Sequence, residues 1–140
     1  LKSLMTPFPY SVELSASLGE ARRLMVAHAV RHLPVTVEHD VVGLVSDRDI
    51  KLLIGPEMGS PDPKELIVED AYMKDCYLVD LEQPVRHVMR TMAERHIGAA
   101  VVTLHGRLAG IFTATDACRA FADYLDVAFH PGENEPPDAG

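Results

Sequence analysis

Ser46 and Asp49 in VVGLVSDRDI (41–50), and Thr113 and Asp116 in LAGIFTATDA (108–117), each set a hydroxyl and a carboxylate three residues apart at the end of an apolar run. Two kinds of chemistry use that spacing. In one, the hydroxyl caps free N–H groups of a new helix and the acid meets the positive end of its dipole. In the other, the same helix end faces a cleft, where N–H groups meet an anion and the carboxylate accepts hydrogen bonds from the vicinal hydroxyls of a ribose. Gly43 and Gly110, inside the two runs, allow either close backbone approach or tight packing. Both readings need a strand that runs straight into a helix, twice.

Other chemistry finds little support. His28 and His32 stand at i, i+4, with His87 and His96 elsewhere, but two such imidazoles without a third ligand read as surface or helix-end residues, so no metal is expected. No Ser/His/Asp order, nucleophile elbow or paired carboxylate is evident, and Asp47 beside Asp49 reads as part of a helix start. The chain is therefore expected not to be an enzyme. Cys76 and Cys118 lie in no metal-like spacing and read as two buried, reduced thiols. A net charge of −8, with no Lys/Arg cluster and no Trp, argues against nucleic acid as a partner. Nothing resembles a signal peptide or a membrane-length apolar run, so a cytoplasmic protein without membrane contact is expected.

The repetition extends far beyond the two phrases. Gly43 and Gly110 are 67 positions apart, and so are Ser46 and Thr113, Asp49 and Asp116, Tyr10 and Tyr77, Val12 and Val79, Arg23 and Arg90, Met25 and Met92, Val35 and Val102, and Thr36 and Thr103. Met5 and Met73 stand one position out of that register. An ungapped series of this length marks a tandem duplication.

Each copy predicts the same elements. A short extended piece (YSVEL, YLVDL) precedes an amphipathic helix. The first helix carries Ser17 and Glu20 in capping-box spacing; the second starts at Pro84, suited to a first helical position, and places Val85, Val88, Met89 and Met92 on one face. Two β-branched segments follow, HLPVTV with VVGLV and AAVVTL with LAGIF, joined by turn-like EHD and HGR, and then a second helix. The unit is β-α-β-β-α, and one copy alone leaves a sheet face uncovered. The expected fold is α+β, with two such repeats packed by pseudo-twofold symmetry through their sheets. The expected boundaries are 1–54 for the first repeat, 55–67 for a Pro/Gly-rich linker, 68–126 for the second repeat, and 127–140 for a disordered acidic tail. Met5, Met25, Met73, Met89 and Met92 are expected to fill the core.

MTPFPYSV, EARRLMVAHAVRHLPVTV and VVGLVSDRDI, followed by VEDAYMKDCYLV, VRHVMRTMAERHIGAAVVTL and LAGIFTATDA, resemble a pair of cystathionine-β-synthase (CBS) domains, the tandem called a Bateman module, over residues 3 to 125. The resemblance implies a stand-alone, non-catalytic module binding an adenosine-containing ligand such as AMP, ADP, ATP or S-adenosylmethionine in the clefts between repeats. It implies that Asp49 and Asp116 take ribose hydroxyls, with Ser46 and Thr113 near the ribose or phosphate. Each adenine pocket would borrow from the other repeat: Cys76, Tyr77, Ala99 and Ala100 with Asp49, and Pro9, Tyr10, His32 and Leu33 with Asp116. Arg48 would meet a phosphate in the first site, where the second has Thr115. Ala100 and Val101 replace Leu33 and Pro34, so the sites are expected to differ, with one occupied per chain. A disc-shaped homodimer and an effector protein of unknown identity are further implications. The competing expectation is a ligand-independent dimerisation scaffold in which hydroxyl and aspartate are only caps.

Overall fold

Both apolar runs fold as strands whose ends are covered on each face, burying Leu44 and Val45 in one and Ile111 and Phe112 in the other. The computed structural model describes residues 1–7, 9–54 and 66–129. After a two-residue strand β1 (Thr6–Pro7), the first repeat runs β2 (Val12–Glu13), α1 (Leu18–His28), β3 (His32–Val37), β4 (Asp40–Ser46) and α2 (Asp47–Ile54). A 3-10 turn (Val68–Asp70) leads to β5 (Leu78–Asp80), α3 (Val85–Arg95), β6 (Ala99–Leu104), β7 (Arg107–Thr113) and α4 (Ala114–Phe129). The expected β-α-β-β-α unit is present in both halves.

Registers repeat position for position. Val12 pairs with Val35 in a parallel ladder as Val79 pairs with Val102, and both hairpins carry an irregularity just after those valines. The hairpin loops are two residues long and left-handed, Glu38–His39 and His105–Gly106, which matches the twist of antiparallel strands. Sheet order is β2-β3-β4-β7-β6-β5, with β4 and β7 meeting at Asp40 and Arg107.

Helices lie over this sheet by their apolar faces. Ser17 Oγ accepts the Glu20 N–H at 3.1 Å, and α1 buries Leu18, Ala21 and Met25. α3 buries Val88 and Met92, and Pro84 serves as its N-cap rather than its first helical residue, with ψ at 129°. No helix among the described residues is long and apolar enough to cross a membrane.

The leading segments are exchanged between halves. Leu66, Val68, Ala71 and Tyr72 complete the first core around Leu18, Leu33, Val35, Val45 and Ile50. Leu1, Leu4 and Met5 pack on the second core around Val79, Val88, Met92, Ala100, Val102 and Phe112. A third cluster, Leu44 with Ala99, Val101 and Ile111, joins the halves. Each half therefore depends on the other for part of its buried surface, and burying a large aliphatic or aromatic side chain contributes about 1.5–3 kcal/mol.

This exchange explains the two strand glycines. Met73 pairs with Leu44 by two backbone hydrogen bonds of 3.0 and 2.7 Å, and Thr6 pairs with Ile111 at the equivalent place. A Cβ on Gly43 would stand 2.5 Å from Met73 O and from the Tyr72 ring; on Gly110 it would run into Met5 Sδ and stand 2.8 Å from Thr6 O. The glycines let an incoming segment cross the strand. Met73 thus corresponds to Thr6 and Tyr72 to Met5, so the methionine match at one position out of register is coincidental.

Several sequence expectations need correction. Leu66 and Ile67 are structural, not linker: the Leu18 N–H donates to Leu66 O, and Ile67 bridges to Ser17. α4 continues to Phe129 because no proline or glycine interrupts it before Pro131, so 127–129 are helical. Residues 55–65 and 130–140 lie outside the described residues. Met73 is 52% exposed rather than core, since its contribution is backbone pairing. Cys76 is half-buried and Cys118 is exposed on α4, so neither is a fully buried thiol, though both are free.

Candidate functional site

Each hydroxyl–aspartate pair sits where a strand becomes a helix with no intervening loop. The Asp49 N–H donates to Ser46 Oγ at 3.0 Å, and the Ser46 N–H donates back to Asp49 Oδ2 at 3.1 Å. The second pair repeats this at 3.2 and 2.9 Å, and the Thr113 hydroxyl also donates to Asp116 Oδ2 at 3.0 Å. These are reciprocal caps. The Asp47 and Ala114 N–H groups donate to Arg31 O and Gly98 O, each at 2.9 Å. Two of the first three N–H groups of each helix are therefore engaged, which leaves the carboxylate as the main polar group offered to a cleft.

The second pair opens onto a cavity of about 910 Å³, within the size range of small-molecule sites. Its walls come from both repeats. The first supplies Thr6, Pro7, Pro9 and Tyr10, then His28 to Leu33 from the turn between α1 and β3; the second supplies Gly98, Ile111, Thr113 to Asp116, and Arg119. Pro9, Tyr10, His32, Leu33, Thr113, Thr115 and Asp116 are thus brought together around one space. Tyr10 lies parallel to the His28 ring with centroids 3.5 Å apart, so one aromatic wall is already braced. Asp116 is only 9% exposed, and an adjoining pocket of about 310 Å³ shares Thr6, Pro7, Asp116 and Arg119.

The remaining candidates are placed differently. Arg48 is exposed beside the half-buried Asp49. Tyr77 has the Arg95 guanidinium 5.8 Å from its ring centre, matching the Tyr10–His28 pair by position. Cys76 packs at the junction between halves with Ala99, and Ala100 is fully buried in the second core. Arg31, Arg119, Gly98 and Ile111 were not anticipated as lining residues. Arg119 was legible in principle, since it follows Asp116 by three positions and so shares its helix face.

His32 joins the two pairs physically. It faces Ser46 across the hairpin and lines the Asp116 cavity. Burial pushes its pKa below the ordinary histidine value of 6.5; Asp49 acts in the opposite sense and Arg31 in the same sense. The unfolded chain then takes up this proton at higher pH than the folded chain. Stability contributed by neutral His32 is full above pH 6.5 and falls as pH drops through the unfolded value toward the folded one. Urea unfolding at pH 7.5 and 5.5 is expected to show a larger acid loss in the wild type than in His32→Gln; equal losses would remove His32 as the cause. For Cys76, burial likewise raises the thiol pKa and disfavours the reactive thiolate.

A family model described as CBS domain matches residues 1–55 and again residues 68–123. L-aspartate semialdehyde sulfurtransferase of Methanocaldococcus jannaschii is 26% identical over 123 residues, which cover 86% of this chain; the chain spans only 23% of that relative's length. The CBS domain pair of protein MJ0100, solved in complex with 5'-methylthioadenosine and S-adenosyl-L-methionine, has a TM-score of 0.75 at 24% identity, covering 88% of this chain and 95% of that one. The CBS domain of a bacterial CNNM/CorC family Mg²⁺ transporter, solved with ATP, has a TM-score of 0.73 at 23% identity, covering 86% and 85%. At these identities the likeness to solved structures establishes the fold.

Proposed function

The chain belongs to the CBS-domain family, and from that premise we propose that it is a non-catalytic regulatory module binding AMP, ADP, ATP or S-adenosylmethionine in the cleft between its repeats. The observation that carries this reading is the cavity whose walls set Thr113 and Asp116 of one repeat against Tyr10, His32 and Leu33 of the other. The adenosyl compounds and ATP bound by the MJ0100 pair and the transporter domain support the ligand class. In this reading Asp116 takes the ribose hydroxyls, Thr113 lies near the ribose, and Pro9, Tyr10, Leu33 and Ile111 flank the base. We assign the occupied site to Asp116, which lines the 910 Å³ cavity; Ser46, Arg48, Asp49, Cys76, Tyr77, Ala99 and Ala100 belong to a second, weaker site.

A ligand touching both repeats binds best at one angle between them, so occupancy shifts the population of conformers that an effector protein reads. Thermal unfolding tests the binding. A ligand at about 100 times its dissociation constant adds about 2.7 kcal/mol to stability. A raised unfolding temperature with one of the four compounds is expected; no shift with any of them would favour the scaffold reading.

The same proposal includes a homodimer in the cytoplasm, with no role for nucleic acid given the net charge of −8. Leu52 on α2 and Phe121 and Tyr124 on α4 are 73%, 56% and 64% exposed, an apolar surface that a second copy would cover. Sedimentation is expected to show a dimer that Phe121→Asp dissociates, and an undisturbed dimer would place the contact elsewhere.

A further inference from the structure

Arg119 stands one turn beyond Asp116 on α4, with Nη1 3.5 Å from Asp116 Oδ1. The guanidinium is 68% exposed and the carboxylate 9%. Oδ2 is already held by the Thr113 N–H and hydroxyl at 2.9 and 3.0 Å. Oδ1 is therefore the oxygen open to the ribose hydroxyls, and when both donate to it they fill its two lone pairs and displace Arg119. The position matching Arg119 in the first repeat is Leu52, so the first repeat has no such pair. Among the described lining residues, two guanidinium groups, Arg31 and Arg119, oppose the single carboxylate of Asp116, in a chain whose net charge is −8. Such local positive charge on an acidic protein points to an anionic ligand group.

The geometry points to an exchange of partners at Asp116 and Arg119 that selects adenine nucleotides carrying phosphate over adenosine and over the sulfonium S-adenosylmethionine. Both ribose hydroxyls donate to Asp116 Oδ1, the carboxylate releases Arg119, and the freed guanidinium takes a phosphate oxygen, with Arg31 adding a second positive charge. A nucleoside leaves Arg119 without a partner. A sulfonium brings a positive charge among guanidinium groups. This inference rests on reading the cavity as an adenosyl site.

Calorimetric titration of ADP, adenosine and S-adenosylmethionine into the wild type, Arg119→Ala and Arg119→Lys tests the exchange, with thermal unfolding as the check on folding. In the wild type, ADP is expected to bind at least about tenfold more tightly than the other two, the size of one charge-assisted hydrogen bond. Arg119→Ala is expected to weaken ADP about tenfold while adenosine binds as well or better, its competitor for Oδ1 being gone; Arg119→Lys keeps part of the preference. Adenosine or S-adenosylmethionine binding as tightly as ADP, or an equal loss for all three compounds in Arg119→Ala, would overturn the exchange while leaving the adenosyl reading intact. Binding of none of the three, nor of AMP or ATP, would overturn both.

Discussion

Gly43→Ala is expected to destabilise the fold by about 1–3 kcal/mol, the cost of adding a methyl to a filled site. The new Cβ would meet the Met73 carbonyl and the Tyr72 ring, both at 2.5 Å. The carbonyl belongs to backbone paired with Leu44, so it has no rotamer to retreat into. Relief requires the crossing segment to lift, which disturbs Val68 and Tyr72 on the first core. Gly110→Ala is expected to cost less, since its nearest neighbour is the flexible Met5 side chain, although Thr6 O at 2.8 Å keeps the cost above zero. Urea midpoints for both variants measure this. A Gly43→Ala protein as stable as the wild type would mean that the segments from 66 to 73 do not hold this crossing in solution.

Asp116→Ala is expected to have the largest effect on binding. Loss of hydrogen bonds from two ribose hydroxyls to a carboxylate, at about 1.5–3 kcal/mol each, predicts a drop in nucleotide affinity of about a hundredfold or more. The same change also removes the acceptor for the Thr113 N–H and hydroxyl, so stability falls by about 0.5–2 kcal/mol. Asp116→Asn separates the roles, because an amide oxygen still caps the helix but accepts ribose hydroxyls without the charge. Asp49→Ala is expected to cost similar stability and leave nucleotide affinity within about threefold of the wild type, since Asp49 lies outside the 910 Å³ cavity. Calorimetry beside urea unfolding distinguishes the cases. Equal loss of stability in the two alanine variants with no change in any affinity is the outcome that the scaffold reading requires.

The duplication made most of the fold legible from one chain. An offset shared by Val12, Val35, Gly43, Ser46 and Asp49 fixes strands, hairpin and helix start in both halves at once, because residues that share a role share a spacing. The exchange of leading segments was not legible. Its signal lies in backbone pairing by Thr6 and Met73, whose side chains share no property, and the similar Met5 and Met73 pointed to the wrong register. The Asp116 wall was anticipated through the family resemblance, which crosses from one repeat to the other. Arg31 and Arg119 were missed because nothing in the second repeat repeats Arg31 and nothing in the first repeats Arg119; Gly98 and Leu52 stand there instead. Repetition reveals what two copies share, and the charge of this cavity lies in what they do not.

We propose that the cavity between the repeats is the nucleotide site. A crystal structure of the chain grown with AMP tests it most directly. The account predicts the ribose hydroxyls within about 3.2 Å of Asp116 Oδ1, the base between the Tyr10–Leu33 wall and Ile111, and Arg119 turned from Asp116 to the phosphate. AMP bound against Asp49 instead, or AMP at full occupancy elsewhere with the Asp116–Arg119 pair undisturbed, would contradict it.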